Sequence, residues 1–461
     1  MDGCVIAVAG TGARRYWGAG ARPWAGERAK GRSGPCGLRP VPYDGRHTGT
    51  AVAGAGGLSY RVNVSDQMHR LFPAQRLEQA RKAAADHGLD ALLISPGSDL
   101  RYLTGYHALP LERLTCLVVP VQGDPFLVVP ALEKPAAEAS PVGGLGIDIT
   151  GFNETEDPYT LIAGRLPAGA AGFATAGPAP AASAPAGVAV DNHMWAEKLL
   201  AFQAALPGAR VSLAGDVLRE MRMRKSAAEI DALRRAGAAI DRVHRRMGEW
   251  LSAGRTEREV ARDIADAIIQ AGHATVDFVI VASGPNSASP HHEVADRVIR
   301  PGDPVVVDIG GTTEEGYCSD STRTYAVGEP PAEFRELYNV LQRAQAAQTR
   351  AVRPGITAQE LDAVGRRIIA DAGYGDHFIH RTGHGIGLET HEEPYIVEGS
   401  ELALAPGMAF SIEPGIYLPD RFGARIEDIA VCTEDGGERL NLTARDLAVL
   451  PAQGGGRLGE G

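Results

Sequence analysis

The sequence predicts an α+β protein built as an α/β unit followed by a larger unit whose helices precede its sheet. Three patterns carry that reading. Near residue 75 a helical periodicity gives way to a short apolar strand. Between 227 and 271 two amphipathic segments follow one another with no strand between them, and from Gly272 to about residue 450 strands alternate with glycine-rich turns. Strict strand–helix alternation, the mark of a doubly wound parallel sheet, is missing from the second unit.

In chain order, residues 1–65 are rich in Gly, Ala, Arg and Pro without sustained periodicity and are expected to be disordered. Their apolar stretch 5–9 precedes Arg14, Arg15, Arg22 and Arg28, the wrong order for a secretory signal, and Met68 is an alternative start. The first domain is expected over 70–212. It opens with Leu77, Ala80, Ala84 and His87 on one helical face, Gly88 as a stop and a strand at 91–95. Residues 114–120 and 125–130 read as a hairpin across Gln122-Gly123-Asp124. After Asp148 the chain is expected to loosen into a low-complexity loop at 163–186, before a strand at 188–190 and a helix at 195–205. The second domain is expected over 220–452. Its first helix, 227–251, opens with a Ser226–Glu229 capping box, and its second covers 257–271.

Composition narrows the function classes. The chain has 461 residues, 44% hydrophobic and 22% charged, a globular balance with room for two or three domains. No run approaches the ~18 apolar residues of a membrane span. A net charge of −11 disfavours nucleic acid, whose non-specific affinity comes from Lys and Arg neutralising phosphates. Cys4, Cys36, Cys116, Cys318 and Cys432 form no C-x-x-C pair, which excludes a zinc finger and fits reduced thiols in the cytoplasm.

The chemistry concentrates in the second domain. The run 305–311 reads as a buried strand ending in Asp308, and 318–324 as a second strand that starts with Asp320, the two folding back so that the carboxylates lie side by side. The pattern recurs where a strand ends at Glu413 and another begins around Glu427. Between them stands His384, flanked by Gly383 and Gly385, read as allowing a sharp bend and leaving the imidazole unscreened. Buried carboxylates at close range must be protonated, paired or bound to cations. Four carboxylates and one imidazole suit a pair of Mn²⁺, Co²⁺ or Zn²⁺ ions. Gly383-His384-Gly385-Ile386-Gly387 is not a phosphate cradle, and Asn63, Asn153 and Asn441 match glycosylation acceptors only by chance.

The motifs VVVDIGG, SDSTRT, RTGHGIGLETHEEP, SIEPGIY and ARIEDI occur in that order. From about residue 73 to 450 the chain resembles the pita-bread metallopeptidases, in the branch of Xaa-Pro aminopeptidases and Xaa-Pro dipeptidases (prolidases). The resemblance implies a creatinase-like N-terminal domain followed by a pita-bread catalytic domain. It also implies two divalent metals, Mn²⁺ first, on Asp308, Asp320, His384, Glu413 and Glu427, with Asp320 and Glu427 bridging. His291 and His391 match catalytic histidines, while His380 and Arg425 match residues that face substrate or support the ligands. His292 and His377 are read as structural. The reaction implied is hydrolysis of an N-terminal Xaa-Pro bond by a hydroxide bridging the metals. Glu413 would move a proton to the prolyl nitrogen, and His391 or His291 would stabilise the oxyanion. The partners implied are proline-containing peptides or dipeptides and a second copy of the chain in a homodimer, with no nucleic acid and no membrane. Two alternatives share the fold: a creatinase-type hydrolase that needs no metal, and a non-catalytic pita-bread binding module. A methionine aminopeptidase fits less well, because it typically lacks the long first domain.

Overall fold

The computed structural model describes residues 70–166 and 187–452. The expected disordered leader, the alternative start at Met68 and the low-complexity stretch after Leu166 lie outside the described residues. Among the described residues no helix is long and apolar enough to cross a membrane.

The first unit is a mixed sheet of β1 (Ala91–Ile94), β2 (Cys116–Pro120), β3 (Phe126–Pro130), β4 (Asp148–Phe152), β5 (Gly187–Val190) and β6 (Arg210–Leu213), in the order β4-β3-β2-β1-β5-β6. The expected hairpin is present, with Cys116 opposite Val128. On one face Leu92, Ile94, Leu117 and Leu127 pack against Leu77, Ala80 and Ala84 of α1 (Gln75–Asp86); on the other, Leu93, Val118 and Val128 meet helices further along the chain. A sheet covered on both sides needs apolar residues at every position, which is why these strands read as unbroken apolar runs. The short α2 (Ser98–Thr104) and α3 (Lys134–Ala139) complete this part.

Two features differ from the expectation. The chain does not loosen after Asp148: β4 forms the sheet edge and α4 (Pro158–Arg165) follows, its N-terminus capped by the Asp157 carboxylate. An edge strand that is only partly buried and carries Gly151 has no clear alternation, and a helix of two turns has too little periodicity to register. After α5 (Ala196–Ala205), β6 and α6 (Gly215–Met223) carry the first unit past residue 212, with Val217 and Leu218 in its core.

The second unit opens with α7 (Ala227–Arg245) and α8 (Glu257–Gln270), each with its capping box, Ser226–Glu229 and Thr256–Glu259. The first helix stops before residue 251. Met247 and Leu251 reach the same core through a 3₁₀ turn at Met247–Glu249, so the apolar spacing outlasts the α-helix. Strands β7 (His273–Ser283), β8 (Asp303–Thr313) and β9 (Cys318–Val327) follow, then α9 (Ala332–Ala351) and α10 (Ala358–Asp371). The remaining strands are β10 (Gly383–Gly385), β11 (Glu392–Ile396), β12 (Ala409–Ile412), β13 (Gly415–Leu418), β14 (Phe422–Arg425), β15 (Asp428–Thr433), β16 (Gly436–Arg439) and β17 (Ala448–Leu450). They form a β17-β9-β8-β7 sheet, a β11-β10-β12-β15-β16 sheet and a β13-β14 hairpin. The succession of helix pair and sheet occurs twice.

The units are joined by buried charge. Arg222 of α6 meets Asp99 at 2.8 Å and Glu392 of β11 at 2.5 Å, and Lys225 meets the other Glu392 oxygen at 2.5 Å. Glu392 directly follows His391, so this link anchors the strand that begins beside the candidate site.

Candidate metal centre

Strand alternation sorts β8 into two faces. Val305, Val307 and Ile309 pack with Ile240, Val243 and Ile264 of α7 and α8, which turns Asp308 and Gly310 the other way. On β9 Asp320 lies opposite Gly310, and Thr322 opposite Asp308. Directly opposed residues share a face, so Asp308 and Asp320 are diagonal neighbours on it. Both are interior to their strands, not at strand ends as expected; the ladder continues past each to Thr312 and Cys318.

The second sheet supplies the other three candidates. Glu413 follows the last residue of β12 and Glu427 precedes the first of β15, where Ile412 pairs with Asp428. The β13-β14 hairpin fills the chain between them. His384 sits in the middle of β10. Its flanking glycines lie in the strand, whose register against β11 shifts between His384 and Gly385, and a Cβ would strike the Ser411 carbonyl at Gly383 and the Glu393 carbonyl at Gly385. Close approach of neighbouring backbone excludes any larger residue.

Polar side chains hold these groups. The Ser411 hydroxyl accepts from the His384 backbone N–H and donates to Glu413, both at 3.0 Å. The Thr322 hydroxyl donates to Glu427 at 2.8 Å. Arg425 donates to Asp308 at 2.6 Å, to the Tyr417 hydroxyl at 2.8 Å and to the Pro290 carbonyl at 3.2 Å. The His384 Nδ1 faces the Gly385 carbonyl at 3.1 Å, which leaves Nε2 for the cluster, 3.1 Å from Glu413 and 3.6 Å from Asp320.

Three sets of side chains have ligand atoms within 4.8 Å of one another: Asp308, Asp320 and Glu427; His384, Glu413 and Glu427; and Asp320, His384 and His391. Asp320, His384 and Glu427 each belong to two sets. Burial, and then repulsion from Glu427, Asp308 and Glu413, pushes the Asp320 carboxyl far up, and Glu427 is raised by burial and by Glu413 and Asp308. Burial raises Glu413 too, but the His384 hydrogen bond and the charges of His384, His380 and Arg425 outweigh it and hold that carboxyl at about 2. Asp308 Oδ1 and Glu427 Oε1 are buried without a hydrogen-bond partner. Mutually repelling carboxylates with unpartnered oxygens are the donor set that divalent cations compensate, so the residues fit two such ions.

The cluster lines a cavity of about 620 Å³, together with His291, His380, His391 and Arg425. His391 is open to the cavity with its ring 3.9 Å from that of His384; desolvation and the nearby His384 and Arg381 hold its imidazole down to about 4. His380 has both nitrogens occupied, Nδ1 by the Arg381 carbonyl at 2.7 Å and Nε2 by the Tyr417 hydroxyl at 3.0 Å. With Arg425 bound to Asp308 and Tyr417, the structure gives His380 and Arg425 a supporting position at the cavity wall. His292 bonds the buried Glu257 at 2.8 Å, and His377 lies in a 3₁₀ turn at Gly375–His377. Sequence reasoning missed Tyr417, which links Arg425 to His380, although it stands in the SIEPGIY motif.

Comparison with known proteins converges on this region. The model of metallopeptidase family M24 matches residues 231–434, and that of the creatinase/prolidase N-terminal domain matches 76–224. The "Probable dipeptidase PepE" of Mycobacterium tuberculosis is 52% identical over 378 residues, 82% of this chain and 96% of that protein. The chain belongs to metallopeptidase family M24. Within M24 it is also similar to the Xaa-Pro dipeptidase of Lactobacillus delbrueckii subsp. lactis, 38% identical over 82% of this chain and 99% of that one. The crystal structure of dipeptidase PepE from Mycobacterium ulcerans matches with a TM-score of 0.75 and 52% identity, covering 82% of this chain and 98% of that one. The architecture is the one the sequence resemblance implied, a creatinase/prolidase-like α/β domain followed by the M24 pita-bread catalytic domain.

Proposed function

We propose that this protein is a metal-dependent dipeptidase that hydrolyses Xaa-Pro dipeptides. One observation carries the reading: four carboxylates and an imidazole meet in a buried cluster with two unpartnered carboxylate oxygens, at the wall of a cavity of small-molecule size. The names of the M24 relatives, dipeptidase and Xaa-Pro dipeptidase, support that substrate class over longer peptides. Asp308, Asp320, His384, Glu413 and Glu427 would hold two divalent ions, Mn²⁺ first and Co²⁺ or Zn²⁺ as alternatives, with Asp320 and Glu427 shared between them. When bound, the ions supply Lewis acidity and lower the pKa of a water toward roughly 7.

The chain's own residues do the rest. Glu413, fixed by Ser411 and His384, takes the attacking water's proton and returns it to the prolyl nitrogen, which must leave as a secondary amine. His391 and His291 face the cavity, where an imidazole N–H can stabilise the carbonyl oxygen as charge develops on it. Arg425 and Tyr417 hold Asp308 and His380 in place. The buried free thiols Cys116, Cys318 and Cys432 support a reducing, cytoplasmic setting, and the family resemblance supports a homodimer.

The test is the metal-loaded protein assayed on Gly-Pro, an Xaa-Pro-Xaa tripeptide and an Xaa-Ala control, with and without chelator. Gly-Pro should be cleaved best, and chelator should abolish turnover. Activity that survives chelation would support the creatinase-type alternative, and a protein that neither cleaves nor binds metal would be the binding module.

A further inference from the structure

Besides Arg425, which is paired with Asp308, two charged residues line the cavity without belonging to the cluster: Asp277 of β7 and Arg381, which stands just ahead of β10. Regular alternation would turn Asp277 away. Phe278 and Ile280, two residues apart, both line the cavity, so an unbroken strand would send Asp277 to the opposite face. It reaches the cavity because β7 is bulged there: Val276 pairs with Gly311 and Phe278 with Gly310, which leaves Asp277 as the extra residue. A bulge re-aims one side chain, and bulges gather beside active sites. The facing strand accommodates it with glycines, since a Cβ at Gly310 would strike the Phe278 ring and one at Gly311 would lie 2.5 Å from the Thr275 carbonyl oxygen. Both Asp277 oxygens are oriented, one accepting from the Thr275 hydroxyl at 2.9 Å and the other from Thr312 at 2.6 Å. Among the described residues neither oxygen meets a cation.

Arg381 comes from the other sheet's side. Its guanidinium stacks on the Tyr395 ring, 4.3 Å from the centroid, which leaves the in-plane N–H edge for a ligand. Among the described residues it meets no carboxylate at ion-pair distance.

A carboxylate without a cation and a guanidinium without an anion, lining one cavity, are complementary to a molecule that carries both charges. We propose that Asp277 binds the free α-ammonium group and Arg381 the free α-carboxylate of a zwitterionic dipeptide. This rests on the dipeptidase reading and adds the residues that confine it to unblocked dipeptides.

The test compares kcat/KM for the metal-loaded wild type, Asp277→Asn and Arg381→Gln on three substrates: Ala-Pro, Ala-Pro amide, which lacks the carboxylate, and propionyl-Pro, which lacks the ammonium. Ala-Ala and its amide run in parallel. Arg381→Gln should lower kcat/KM on Ala-Pro about 10–100-fold, mainly through KM, and bring the preference for Ala-Pro over its amide toward one. Asp277→Asn should do the same to the preference over propionyl-Pro. Arg381→Lys should restore part of the lost preference, because it keeps the charge without the planar fork. Metal content by mass spectrometry should stay at the wild-type level in all three variants. Equal losses on Ala-Pro and the capped analogues would overturn the proposal, because a structural or metal-holding role cannot tell them apart. A wild type that cleaves Ala-Pro and its amide alike also overturns it and leaves the dipeptidase reading intact. One that ignores Ala-Pro yet prefers Ala-Ala to its amide refutes the proline specificity and supports the charge pair.

Discussion

In the first half of the catalytic domain, β7 to β9, both candidate ligands sit inside a ladder. In the second half, β10 to β15, Glu413 and Glu427 lie just outside the paired strands. Register brings Asp308 and Asp320 together, and Arg425 holds Asp308 at 2.6 Å. Glu413 and Glu427 are tied by backbone N–H bonds to the Thr382 and Thr322 carbonyls, and their carboxylates are oriented by the Ser411 hydroxyl for one and the Thr322 hydroxyl for the other; Thr322 belongs to the first half. The difference teaches how each half sets its carboxylates: the first by ladder register with a guanidinium on Asp308, the second by single backbone bonds and a hydroxyl on each carboxylate.

The sharpest break in this comparison is Asp320→Ala. Asp320 belongs to two of the candidate ligand sets, so its removal should cost both metals and nearly all turnover, whereas a residue serving one ion would cost one. Metal analysis beside kcat measures it, and two retained equivalents with normal turnover would remove Asp320 from the site.

Next are the two histidines at the second half's edge. His384→Ala should lose metal, while His391→Ala should keep both metals and lower kcat by about 10²–10³, the range for removing one stabilising or proton-relaying group. The structure makes this a demanding test, since His391 also lies within ligand reach of Asp320 and His384. A metal-free His391 variant would make it a ligand.

A smaller effect should come from Thr322→Val, which keeps the shape and removes the hydroxyl that donates to Glu427. Metal affinity should fall about 10–100-fold with the fold intact, as for other groups that orient ligands. Unchanged affinity in a calorimetric titration would mean that backbone register holds the second half as well.

The last effect is on stability and not on metal binding, and concerns His244, which braces the first half from behind. It is fully buried between the Tyr325 hydroxyl at 2.9 Å and the Ser321 carbonyl at 3.1 Å, and burial, aided by the Arg323 charge, pushes its imidazole down to about 3. The folded state therefore favours the neutral ring, and the unfolded chain takes up the proton as pH falls below about 6.5. The stabilisation is complete above that pH and should be lost toward pH 3, at up to about 1.4 kcal/mol per pH unit. Denaturant unfolding of wild type and His244→Gln should diverge in this window; parallel curves would show that His244 does not titrate on unfolding.

The same contrast decides what could be read from the sequence. Asp308 and Asp320 were legible because a hairpin brings near in space what is near in the chain. Glu413 and Glu427 were legible as the same strand pattern recurring, but the β13-β14 hairpin between them was not, because a count of residues does not reveal it. The glycines around His384 were visible, but their reason was not, since it lies in the carbonyls of Ser411 and Glu393 on neighbouring strands. Asp277 carried no signal, because a bulge is a misregister between two strands and no single strand reveals it. In the first domain the buried central strands announced themselves by continuous apolar runs, and the half-exposed β4 did not.

The central claim is that five residues from the two halves hold two metal ions between them. Calorimetric titration of the metal-free full-length protein with Mn²⁺, with Gly-Pro hydrolysis followed on the same samples, tests it most directly. The account predicts two equivalents bound per chain and turnover that appears as they bind. Saturation at a single equivalent, or full Gly-Pro hydrolysis before any metal is added, would contradict it.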